Sequence, residues 1–264
     1  MGTNFSKLSI SDKDTDTVNI KNCSFCNKPF TEELWCCINS LEKLAENGNE
    51  EAMFNLANNY RNGEGTERNL EKAFQWYQKA AENGNGEAMF NLANGYYAGE
   101  GTEQDFFKSI YWYQEAAENG VNEAMYILAS TCNNEKEAFY WYQKAAKSGH
   151  TYAMTNLIRR YYMGEGTERN PEKGFYWCQK AVENDVKEAM FVLASYYRDG
   201  EGTEKNLEKA FYWYQKAAEN GDGKAMFNLA NNYGNGEGTE KNLEKAFYWY
   251  QKAAENGMEK QCLI

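Results

Sequence analysis

The chain has 264 residues, 42% hydrophobic and 25% charged, which is enough apolar material for a sizeable core beneath an ordinary polar surface. Its formal charge of -11 argues against a nucleic-acid partner, because phosphate binding needs a clustered excess of Lys and Arg. No apolar run approaches the roughly 20 residues that cross a bilayer, and the first residues lack the apolar segment of a secretory signal, so a soluble cytoplasmic protein is expected.

Residues 1–44 read as a leader, partly disordered, that does not share the pattern of the rest. "MGTNFSK" matches the N-myristoylation signal, with Gly2 exposed once Met1 is removed and Ser6 at the required place. Membrane association is expected only if Gly2 is acylated, and a single acyl chain binds only marginally. Further on, "CSFCNKPFTEELWCC" sets Cys23 and Cys26 at the spacing that grips one side of a zinc ion, followed by the adjacent pair Cys36 and Cys37. Asn39 stands where a fourth ligand would repeat that spacing, so the knuckle is incomplete and no cofactor is expected. The segment resembles the cysteine-bearing leader found before kinase domains in some fungal proteins, yet no glycine-rich nucleotide loop, "VAIK", "HRD" or "DFG" follows. The remaining cysteines are single, and the plain reading is free thiols.

From residue 45 a phrase recurs. The alanine of its "AM" step falls at Ala52, Ala88, Ala124, Ala153, Ala189 and Ala225, spaced 36, 36, 29, 36 and 36 residues apart. Six repeats therefore fill residues 45–257, and residues 258–264 begin a further copy that stops at once. The third copy is short because "STCNNEKEAF" omits the glycine-bearing loop. Within each unit, Ala52, Leu56 and Tyr60 mark one apolar helical face, and Ala73, Trp76, Tyr77, Ala80 and Ala81 mark a second. Between them "NGEGTERN" supplies a glycine stop and then Thr or Asn as the next cap. One pair cannot bury both faces, so an all-α solenoid of six antiparallel helix pairs is predicted.

The phrases "KAFQWYQKAAENG", "EAFYWYQKAAKSG" and "KAFYWYQKAAENG" resemble the Sel-one-like repeat (SLR) family, a relative of the tetratricopeptide repeats, over about residues 45–257. Departures are the short third repeat, and Gly174 and Cys178 in the fourth. The resemblance implies a right-handed superhelix that serves as a non-enzymatic scaffold or adaptor for other proteins, in settings such as signalling or protein quality control.

If the first helix of each pair lines the concave side, as that comparison implies, its outward positions form an amide ladder. Helical projection places Asn58, Asn94, Ser130, Arg159, Ser195 and Asn231 there, with Asn55, Asn91, Asn156 and Asn228 one turn away. Asn can serve the backbone of an extended peptide with both donors and acceptors, although the same residues also suit a merely solvated face. Arg159 and Arg160 interrupt the ladder, where they can hold an acidic group or pair with nearby Glu. On the second helix, Tyr111, Tyr140, Tyr176, Tyr212 and Tyr248 are predicted to face outward on the convex side, either as an interface or lying along neighbouring Lys stems. The lone histidine, His150, sits at a repeat junction and reads as a loop residue rather than a general base. The expected partner is thus a protein or peptide of unspecified identity. A lipid-anchored regulatory module whose decisive parts are Gly2 and the cysteine segment is the alternative.

Overall fold

The computed structural model describes residues 33–258, so Gly2, Cys23, Cys26 and residues 259–264 lie outside the described region. Thirteen helices are described. After α1 (Glu33–Glu46) they run in pairs: α2 (Glu50–Asn62) with α3 (Leu70–Glu82), α4 (Gly86–Ala98) with α5 (Phe106–Glu118), and α6 (Asn122–Thr131) with α7 (Glu135–Lys147). Then follow α8 (Thr151–Met163) with α9 (Pro171–Glu183), α10 (Lys187–Asp199) with α11 (Leu207–Glu219), and α12 (Gly223–Asn235) with α13 (Leu243–Ala253). Each helix packs on its neighbours in sequence, the arrangement of an all-α repeat solenoid.

Short side chains set the spacing. Ala52, Ala57, Ala80, Ala88, Ala93 and Ala116 are almost wholly buried, and so are Leu56, Leu92, Leu157, Leu193 and Leu229, one per first helix except in the shortened repeat. Alanine at the crossings lets the axes approach, while buried aromatics fill the wider space between pairs. Asn69, Asn170, Asn206 and Asn242 cap the second helices by accepting a backbone N–H three residues on, so the asparagine and not the threonine of "NGEGTERN" is the cap.

The N-terminal helix crosses the boundary expected at residue 44. Its Ile38, Leu41 and Ala45 are buried, and Glu42 accepts a hydrogen bond at 2.8 Å from the Tyr60 hydroxyl. Residues 33–46 thus pack against α2 in the place that a preceding second helix takes at the other junctions. "SLEKLAENG" carries the same apolar spacing as "YQKAAENG", a likeness hidden by the preceding cysteines. Cys36 and Cys37 fall within this helix.

Candidate interaction surface

Four of the six ladder positions, Asn58, Asn94, Ser195 and Asn231, turn out half-buried, while Ser130 and Arg159 are exposed. Asn58 accepts a hydrogen bond at 2.6 Å from the hydroxyl of Tyr77, which is itself buried on the second helix of the same repeat. Tyr113 donates in the same way to Asn94, and Tyr250 to Asn231, while Ser195 meets Tyr214 at 3.2 Å. In the fourth repeat both partners change together: Arg159 replaces the amide and Cys178 replaces the tyrosine. Ser130, in the shortened repeat, donates to its own helix at the Ile127 carbonyl. Burial pushes the Tyr77, Tyr113 and Tyr214 phenols above their ordinary range.

The second row also makes internal bonds. Asn91, Asn156 and Asn228 donate to the carbonyl four residues back, and Asn55 is half-buried. Arg61 reaches into the next repeat to donate to Asn91 at 2.8 Å, and Arg198 reaches Asn228 in the same manner at 3.3 Å. Where the Arg position is Tyr97 or Tyr162, the matching position in the next repeat is Ile127 or Val192. The polar staple is therefore replaced as a unit by an apolar pair.

Arg160 is a correction to its expected place on the binding face. It is buried, its guanidinium stacks 5.0 Å from the Tyr142 ring centre, and it reaches the Glu135 and Glu165 carbonyls at 3.5 and 3.4 Å. Arg159 remains exposed and pairs with Glu165 at 2.7 Å.

These substitutions converge on a cleft between α8 and α10, about 400 Å³ in volume. Ile158, Tyr162, Phe191, Val192 and Tyr196 make it apolar, and Arg159 and Ser195 of the predicted ladder line it too. Charged groups ring the mouth: Arg159 with Glu165, Arg169 with Glu201 at 3.0 Å, and Arg198 with Asp199 at 2.7 Å. Arg198 holds the Asp199 carboxyl below the usual range, and hydrogen bonding to Glu201, together with its charge, raises the Tyr162 phenol. Glu188, in the exposed first turn of α10, adds a further carboxylate. Tyr196 fits beneath this floor only because Gly174 faces it; a Cβ at Gly174 would overlap the Tyr196 hydroxyl. The sequence signal for the cleft was the apolar pair Tyr162 and Val192, which the amide reading passed over.

The tyrosine stripe is where projection placed it. Tyr111, Tyr140, Tyr176, Tyr212 and Tyr248 are each about half exposed, and each ring meets the following Trp edge-on at 5.1–5.4 Å. Lys144 lies over Tyr140 and Lys216 over Tyr212. His150 stands in the junction before α8 and caps that helix: Nδ1 accepts the Ala153 N–H at 3.2 Å, so the proton sits on Nε2, which faces Glu123 at 3.1 Å. Among the described residues no cluster of His, Cys, Asp or Glu is set to hold a metal, and no helix is long and apolar enough to cross a membrane.

Tandem helix pairs with a continuous core and a lined groove define the class of α-solenoid repeat proteins. The chain belongs to the Sel1 repeat family, whose model matches residues 50–85, 86–121, 133–150, 151–186, 187–222 and 223–258. It is similar to a protective antigen of uropathogenic Escherichia coli that displays an SLR fold, at 28% identity and a TM-score of 0.72 over 83% of this chain. The match takes in 49% of the antigen, so this chain spans about half its length. A Sel1 repeat protein from Oxalobacter formigenes is 30% identical with a TM-score of 0.58, covering 84% of this chain and 97% of that one. No curated protein matches the chain. Sel1 repeat proteins are typically non-catalytic scaffolds for protein–protein interaction.

Proposed function

We propose that this chain is a protein-interaction scaffold that anchors a partner segment on the first-helix surface, with the cleft between α8 and α10 as the anchoring pocket. The observation that carries the reading is the change of Arg61 and Asn91, or Arg198 and Asn228, into Tyr162 and Val192 at a cleft that Ile158, Phe191 and Tyr196 also line; the same exchange at Tyr97 and Ile127 adjoins the shortened repeat. A polar staple closes the surface between repeats, whereas the apolar pair leaves a pocket sized for a single bulky side chain. The paired charges at the mouth are exposed and individually worth little, so a ligand can exchange them at small cost. Asn156 on α8 and Asn228 on α12 are half-buried and each donates one amide hydrogen to its own helix, which leaves the second for the backbone of an extended segment. Signalling and quality control are settings in which such a scaffold would serve.

The test is to rebuild the staple. Tyr162→Arg with Val192→Asn copies a pair that two other junctions already accommodate, so helicity and the urea midpoint are expected to hold. Partner capture from native extract is then expected to fall at least about tenfold, the scale of an interface anchor. Capture unchanged in the double variant would remove the cleft from the binding surface.

A further inference from the structure

At four junctions the glycine-bearing loop of one repeat lies across the first turns of the preceding second helix. Gly101 sits against the Leu70 carbonyl and Phe74, Gly166 against the Glu135 carbonyl and Phe139, Gly202 against Pro171, and Gly238 against the Leu207 carbonyl. A Cβ at any of them would overlap that backbone, and each glycine has a positive φ, so no other residue fits the contact well. The third repeat lacks the loop: α6 ends at Thr131 and Asn134 already caps α7. The start of α5 is therefore uncovered.

The uncovered surface is apolar. Phe106, Phe107 and Ile110 are 53%, 88% and 54% exposed, and Tyr97 lies beside Phe106 with ring centres 5.6 Å apart. Loss of the loop explains Ile110, since its counterpart Phe74 is 9% exposed under a loop. It does not explain Phe107, because every other copy has a charge there: Glu71, Lys136, Glu172, Glu208 and Glu244. The last described helix, α13, is also uncovered and keeps its Glu244, so exposure of the helix start does not by itself call for an aromatic.

We propose that the start of α5 is a docking seat for a short segment of another protein, a glycine-bearing turn flanked by an apolar side chain, which takes the place of the missing loop. The chain itself shows four times what covers this seat: a turn with glycine at the point of closest approach.

A displayed library of random short peptides, selected on the full chain, tests this with two variants. One is Phe107→Glu, and the other restores the loop by inserting the residues that the third copy lacks between Cys132 and Asn134. Both copy features of neighbouring repeats, so each is expected to keep wild-type helicity. Enriched peptides should carry glycine beside an aromatic or aliphatic residue and bind either variant at least about tenfold more weakly. No enrichment on the native chain over the loop-restored one, or binding indifferent to both changes, would overturn the proposal. A concentration-dependent dimer seen by sedimentation and abolished by Phe107→Glu would overturn it as well, by giving the seat to a second copy.

Discussion

Asn58 and Asn94 look alike in sequence whether they await a peptide or serve a tyrosine of their own repeat. The structure shows the second use, and the physical reason is that the Tyr77 and Tyr113 hydroxyls are carried into the interior with rings too large to stop short of it. Replacing Asn58 by Ala is expected to cost about 1 kcal/mol for the lost hydrogen bond, read as a lower urea midpoint. Tyr77→Phe should cost a similar amount and, combined with Asn58→Ala, add little, since both break one bond. Gly174 and Tyr196 make a second residue-scale pair. Gly174→Ala is expected to destabilise by about 1–3 kcal/mol through overpacking, and Tyr196→Asn, the amide that the sixth repeat has at this position in Asn232, should recover most of it. Failure of that rescue in denaturant melts would mean that Gly174 is kept for a backbone reason. Cys178 is wholly buried and its thiol is pushed up to about 12, so the half-buried Cys132 should react ahead of it with a thiol reagent under native conditions.

At the scale of elements, helix boundaries were legible because Asn, Gly and Pro announce them. The departures lie where one element borrows another's role. Helix α1 was assigned to a leader because its cysteines distract from an apolar spacing that only becomes visible once Ile38, Leu41 and Ala45 are seen against α2. Substituting Leu41 by Ala, a buried large-to-small change costing about 2–5 kcal/mol, is expected to open α2 and α3 ahead of the remaining pairs in amide exchange. Uniform loss of protection along the array would show instead that the chain unfolds as one unit. His150 is likewise an element-scale finding: an imidazole stands in for the Asn49, Asn85 and Asp222 caps of other first helices. His150→Asn should therefore be well tolerated, whereas His150→Ala should cost about 1 kcal/mol.

For the whole molecule, stability is a sum of pair and junction contributions, and its response to alkali follows from the buried phenols. Burial raises Tyr77, Tyr113, Tyr142 and Tyr214, and burial, aided by the hydrogen bond to the Glu42 carboxylate, takes Tyr60 up to about 12. The folded chain therefore holds protons that the unfolded chain releases near 10. This stability is fully present below pH 10 and is lost as pH rises through the raised folded values. Alkaline unfolding followed by circular dichroism should set in above pH 10, and replacing Tyr60 with Phe should move its onset upward. An onset unchanged by that substitution would assign the transition to other groups.

Period, the six helix pairs and their core were determined by the sequence alone, because a buried face recurs with the turn of the helix and the same 36-residue spacing repeats wherever the chain must bury the same surface. The outward tyrosine stripe was legible for the same reason, being set by rotation about a single helix axis. What only the tertiary structure decided was which polar positions are already taken. A hydrogen bond between Asn58 and Tyr77, or between Arg61 and Asn91, joins residues 19 and 30 positions apart, and no projection of one helix contains the neighbour that claims the group. The cleft between α8 and α10 and the bare start of α5 belong to the same class, since each is made by what an adjacent repeat fails to supply.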